Sequence, residues 1–180
     1  MKTLVVVGHP AIESSYVNKA WREAAISLPD EDVLVHTLSK SLDYDGFFDV
    51  AAEQKLLLVA DRVILQFPMW WYMPPYIMKR WMDTVWTEGF GWGKGGDKMR
   101  HIRIDVAVSC GAPEVAFSKP TLMEYLSYIP GSIDFLQAKR GELFCLYDAD
   151  NVGKNDPEAL RKSCEDYKRF ILGDLKGLPF

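Results

Sequence analysis

Three short stretches carry the residue types from which a nucleotide site is built. The first, His9-Pro10-Ala11-Ile12-Glu13-Ser14-Ser15-Tyr16-Val17-Asn18, is rich in hydroxyls and amides where a helix should begin. A helix start offers free N–H groups and a positive dipole end, which together grip a phosphate. On this stretch alone Ser14 or Ser15 is equally well a plain helix cap, and His9 a satisfied structural histidine. The second stretch is Gln66-Phe67-Pro68-Met69-Trp70-Trp71-Tyr72-Met73-Pro74-Pro75. Its large flat side chains can wall a flat ligand, or simply pack on a neighbouring helix. The third is Ser109-Cys110-Gly111-Ala112-Pro113, small residues whose backbone can approach a ring closely. Phosphate grip, flat wall and backbone donors together describe a flavin nucleotide site. No Ser/His/Asp or Cys/His set stands out beside it. Cys110 has no visible base and reads as packing, and His36 and His101 read as surface or structural residues.

The elements that must position these stretches follow from periodicity. Leu4, Val5, Val6 and Val7 make a buried first strand, ended by Gly8-His9-Pro10. Val17, Ala20, Trp21, Ala24, Ala25 and Leu28 then recur at helical spacing, and Pro29-Asp30 stops that helix. Val33, Leu34 and Val35 form a short second strand. Asp49 is placed to cap a helix over 50–60, and 62–67 is the third strand. A helix over 74–86 carries two apolar stripes: Ile77, Trp81 and Val85, and Met78, Met82 and Trp86. One stripe suffices against a sheet, so the extra width suggests a dimer contact, with burial under a loop of the same chain as the alternative. Residues 89–96 form a glycine-rich loop without a phosphate-loop pattern. Ile104, Val106 and Val108 alternate as a fourth strand, a helix lies between Lys119 and Tyr128, and 143–147 is the fifth strand. Asp156 with Pro157 opens a last helix carrying Leu160, Cys164, Tyr167 and Ile171 on one face. This alternation predicts a flavodoxin-like α/β fold: a five-stranded parallel sheet of order 2-1-3-4-5, helices on both faces, in a single domain over 1–180. In such a sheet the three stretches meet at the carboxyl edge.

Bulk properties narrow the classes. At 180 residues, with 48% hydrophobic and 26% charged residues, the chain suits a soluble globular protein. Its net charge of −4 gives no footprint for nucleic acid or an anionic membrane. Three widely spaced cysteines form neither a disulfide framework nor a zinc pattern, so reduced thiols, no metal and a cytoplasmic location are expected. No apolar run approaches the roughly 18 residues a membrane span needs. The missing Gly-x-Gly-x-x-Gly after the first strand argues against a Rossmann dehydrogenase.

Gly8-His9-Pro10 with Ser15-Tyr16-Val17-Asn18, then Asp49-Val50-Ala51-Ala52-Glu53-Gln54, then Gln66 through Tyr72 with Pro74, Pro75 and Lys79, resembles the NAD(P)H:quinone oxidoreductase family. Gly111 through Phe117 looks closest to the modulator of drug activity B branch, and the potassium-efflux ancillary flavoproteins are also similar. The resemblance covers residues 2 to about 117. It implies a homodimer with a non-covalent flavin at the subunit interface: FAD by preference, FMN as the alternative. His9, Ser15, Tyr16, Val17 and Asn18 would hold the phosphate end. Pro68, Met69, Trp70, Trp71 and Tyr72 would lie along the ring, and Ser109, Cys110, Gly111 and Ala112 at its polar edge. Trp92 falls near a position that lines the substrate pocket in the family. The implied activity is hydride transfer from NAD(P)H to a quinone through the flavin, by a ping-pong mechanism and without a catalytic side chain. The alternative is a regulatory subunit of a membrane potassium-efflux transporter. DT-diaphorase has a histidine after its fourth-strand turn, and this chain has none there, so a histidine proton relay is not carried over.

Overall fold

The computed structural model describes residues 1–29 and 31–180. Asp30, half of the expected helix stop, lies outside them. In chain order the elements are β1 Thr3–Val7, α1 Val17–Ile26, β2 Val33–Thr37, α2 Val50–Leu58, β3 Arg62–Met69, α3 Tyr76–Val85 and β4 Arg103–Cys110. They continue with α4 Leu122–Tyr125, α5 Tyr128–Phe135, β5 Lys139–Leu146, α6 Ala149–Asn155, α7 Pro157–Leu172 and β6 Leu178–Pro179. One sheet runs β2-β1-β3-β4-β5-β6. The first five strands are parallel, in the expected order. The sixth corrects the expected count: Leu178 pairs with Leu143 antiparallel. Two residues ending in proline carry no strand period, so that pairing has no local signal.

Side chains alternate across the sheet as the strand period requires. Leu4, Val6, Val63, Leu65, Ile104 and Val106 face α3 and α5, sharing a core with Trp81, Met78 and Ile133. Val5, Val7, Ile64 and Ala107 face the other way, onto Trp21 of α1 and Tyr167 and Phe170 of α7. The expected caps form: Asp49 accepts from Ala52 N–H at 3.0 Å, and Asp156 from Ala159 N–H at 2.9 Å. The helix expected between Lys119 and Tyr128 is α4, shorter than those bounds, and a further helix, α5, follows it over 128–135. Thr121 and Glu124 form a capping box at the first of them.

Ile77, Trp81 and Val85 of one stripe and Met78 and Met82 of the other are buried within this chain, against Phe90, Met99 and Leu136 of the same core, while Trp86 is half-buried beside the cavity between α3 and α5. Most of the width that suggests a subunit contact is therefore covered by the chain's own following loop and α5. His36, half-buried on β2, has its Nε2 2.8 Å from Glu53, whose carboxylate also accepts from Trp81 Nε1 at 2.8 Å. At the amino edge of the sheet Arg62 pairs with the buried Asp105 and donates to the carbonyls of Phe170 and Ile171, which fastens the end of α7. Among the described residues no helix is long and apolar enough to cross a membrane, and no group of His, Cys, Asp and Glu is placed to hold a metal.

Candidate functional site

The carboxyl ends of β1, β3 and β4 lie side by side. Val7 pairs with Gln66, Pro68 with Ser109 and Met69 with Cys110. The turns that follow therefore converge, and between them lies a cavity of about 390 Å³. That is within the range of roughly 300–1,000 Å³ usual for cofactor sites. Its walls are His9, Ser14, Ser15, Tyr16, Val17 and Asn18 from the first turn, Pro68, Met69 and Trp70 from the second, and Ser109 and Gly111 from the third.

Each wall has a local cause. Ser15 is extended and its Oγ accepts from Asn18 N–H at 3.2 Å, so it caps α1 and aims the helix start at the cavity. Gly8 has no room for a side chain: a Cβ there would come within 2.7 Å of Met78, so β1 and α3 close tightly behind the site. His9 is buried, with its Nδ1 accepting from Ala11 N–H at 3.1 Å and its ring edge-on to Trp70. Burial lowers its pKa, so the ring is neutral and its proton sits on Nε2, the nitrogen left to donate. Asn18 is fixed by Ser109 Oγ and by Gln66, which is itself held by the Tyr167 hydroxyl.

The aromatic turn is strained. Trp70 and Met73 exchange both backbone hydrogen bonds, at 2.9 and 3.0 Å, around Trp71 and Tyr72 with φ of 48° and 65°. This is the two-residue hairpin turn that Asn-Gly ordinarily fills. A side chain in that left-handed region costs about 1–2 kcal/mol, and such strain collects at functional sites. Tyr72 stacks on Tyr125 of α4 at 4.2 Å and 14°, which pins the turn. Trp71 stands at the tip, 92% exposed.

Of the residues singled out in the sequence, Trp71, Tyr72, Cys110 and Ala112 do not line the cavity. Cys110 points into the core, where burial pushes its thiol up to about 12. The Ala112 carbonyl accepts from Asp148 N–H at 3.0 Å. Trp92 lies apart from the cavity. Its Nε1 donates to the Trp86 carbonyl at 2.8 Å, and it borders a second cavity of about 460 Å³ between α3 and α5, beside Tyr128 and Phe135.

Sequence reasoning missed one wall entirely. Helix α6 brings Ala149, Asp150 and Lys154 onto the cavity. Its signal was faint: an acidic first turn, a lysine in the last, and Pro157 beyond.

A family profile described as "Flavodoxin-like fold" matches residues 1–171. Two Bacillus subtilis (strain 168) proteins are similar. NAD(P)H oxidoreductase YdeQ is 46% identical over 117 residues, 65% of this chain and 58% of that protein. NAD(P)H oxidoreductase YrkL is 34% identical over 173 residues, 93% of this chain and 97% of that protein. The chain thus matches less than two thirds of YdeQ but nearly all of YrkL. Among solved structures, general stress protein 14 of Treponema denticola, in complex with FMN, superposes with a TM-score of 0.87 at 28% identity, covering 96% of this chain and 99% of that one.

Proposed function

We propose that this chain, which belongs to the Flavodoxin_2 family of flavodoxin-like folds, is a flavin-dependent NAD(P)H:quinone oxidoreductase. The observation that carries the reading is the convergence of a capped helix start, a neutral histidine donor and a small-residue turn on one groove of cofactor size. The relatives named NAD(P)H oxidoreductases support the reductant. The FMN complex of the Treponema relative favours FMN over the FAD expected from sequence.

The groove's residues fit a flavin mononucleotide. The start of α1 and the hydroxyls of Ser14 and Ser15 would hold the phosphate. The proton on His9 Nε2 gives a further donor there. Ser109 and the open backbone at Gly111 would meet the ring's polar edge, with Met69 and Trp70 along its face. Bound there, the flavin supplies the hydride-accepting centre that the side chains lack.

The balanced reaction is NAD(P)H + H⁺ + quinone giving NAD(P)⁺ + hydroquinone. The proton is taken from solvent in this scheme. We place both substrates in turn on the same exposed ring face, which is a ping-pong scheme, and assign a homodimer. The exposed Trp71 and the separation of Trp92 from the groove favour a second copy completing the substrate pocket. The rival role, an ancillary subunit of a potassium-efflux transporter, is supported by relatives of that name, the ancillary proteins KefG and KefF at 34% and 37% identity, and by no feature of the groove.

The test is the absorbance spectrum of the purified protein, with chromatography of the released cofactor and two-substrate kinetics. A flavin spectrum, FMN and parallel reciprocal plots are expected. A protein that neither holds nor takes up flavin would sink the reading, and intersecting plots would sink the ping-pong scheme.

A further inference from the structure

The turn after β1 is ringed by cations, but most of them are spent. Lys19, Arg22 and Lys40 all converge on the Glu13 carboxylate, at 3.3, 3.1 and 3.1 Å. They hold Glu13 down to about 2, so this carboxylate stays ionised and engages all three, although its one charge offsets only one of theirs; none of the three lines the groove. Lys154 differs. It is exposed on the last turn of α6, it lines the groove, and among the described residues no carboxylate lies within ion-pair distance of it.

Helix α6 bridges the two ends of the groove. At one end Asp150 lies against the third turn, its Oδ2 3.1 Å from where a Cβ on Gly111 would sit. At the other end Gly153 lies against the first turn, where a Cβ would come within 2.6 Å of Tyr16 Cβ. No side chain fits between α6 and Tyr16, so the helix closes the groove there. Asp150 and Lys154 are four residues apart and share a helix face. The acid stands toward the ring-edge turn, and the base next to the glycine packed on the phosphate turn.

We propose that Lys154 is the counter-charge for the flavin phosphate, and that it makes this groove select FMN over riboflavin and FAD. The inference rests on the flavin reading above. A phosphate monoester carries about −1.5 to −2 at pH 7. Riboflavin has no phosphate, and in FAD each phosphate is esterified further and carries a single charge. An ammonium at this point therefore separates FMN strongly from riboflavin through a charge-assisted contact, and less strongly from FAD, whose two phosphates together carry about −2 but set a single charge beside it.

The experiment titrates flavin-free protein with FMN, riboflavin and FAD, reading the change in flavin fluorescence at two ionic strengths. It compares the natural chain with Lys154→Gln and Lys154→Arg. The natural chain should bind FMN most tightly and lose affinity with salt. Lys154→Gln should weaken FMN by about tenfold or more, leave riboflavin within about twofold, and flatten the salt dependence. Lys154→Arg should recover most of the loss. If Lys154→Gln leaves FMN unchanged, or weakens riboflavin equally, the assignment is overturned while the flavin reading stands. A natural chain that prefers FAD overturns the selectivity. One that binds none of the three overturns both.

Discussion

Asn18 Nδ2 donates to Ser109 Oγ at 2.9 Å, joining residues 91 apart in the chain. The Asn18 carbonyl also accepts from Gln66 Nε2 at 2.9 Å, and Gln66 Oε1 accepts from the Tyr167 hydroxyl at 3.0 Å. One buried chain of hydrogen bonds thus ties α1, β3, β4 and α7 directly beneath the groove. Ser109→Ala leaves the buried Asn18 amide without this partner and should cost about 1–3 kcal/mol of stability. Urea unfolding reads the loss, and flavin affinity should fall with it. Stability unchanged within error would mean the network is not under load.

The strained turn makes a prediction of opposite sign. Trp71 is almost fully exposed, so its replacement loses little packing. Asparagine tolerates the left-handed region that tryptophan resists. Trp71→Asn should therefore raise the stability of the flavin-free protein by up to about 1 kcal/mol and, because Trp71 does not line the groove, leave flavin retention unchanged. Gel filtration followed by the 450-nm region of the spectrum checks retention, and thermal melting checks stability. A variant that melts lower without flavin would show that the turn is unstrained.

His9 sets an acid limit. Burial lowers its pKa from the model-peptide value of 6.5, so below that value the unfolded chain takes up a proton that the folded chain resists. This contribution to stability is complete above about pH 6.5 and is lost as the pH falls toward the folded value. The unfolding free energy should decline on acidification below pH 6.5, and the decline should be shallower in His9→Asn. Parallel pH profiles for the two proteins would remove His9 from this role.

Cys110 should be chemically silent. With its thiol buried and pushed up to about 12, it carries almost no thiolate at pH 8. Labelling with iodoacetamide at that pH, followed by peptide mass spectrometry, should modify Cys110 only after denaturant is added. Modification of the folded protein at a rate matching a free thiol would reopen the nucleophile reading.

Much of this was legible in the residue order because it depends on local physics. Apolar β-branched runs at 4–7, 62–67 and 104–108 have no exposed way to satisfy themselves, and they became β1, β3 and β4. Asp49, Asp156 and Pro157 act within one helical turn, so their caps could be read directly. The parallel order followed from helices alternating with strands, and that order brings the chemistry-bearing turns to one edge.

What only the tertiary structure decided are the partners that meet across the chain. Glu13 engaging three cations, Tyr72 resting on Tyr125, and α3 covered over most of both stripes by its own chain all depend on how crossover segments pack. So does the place of Lys154. Helix α6 is seven residues long, too short for a reliable apolar period, and Asp148 enters it at φ 54°. Sequence alone determined which turns face the groove, because strand and helix periods are written residue by residue. Which charges remain free inside it was decided by packing, because a charge is spent or spared only by neighbours that the fold brings near.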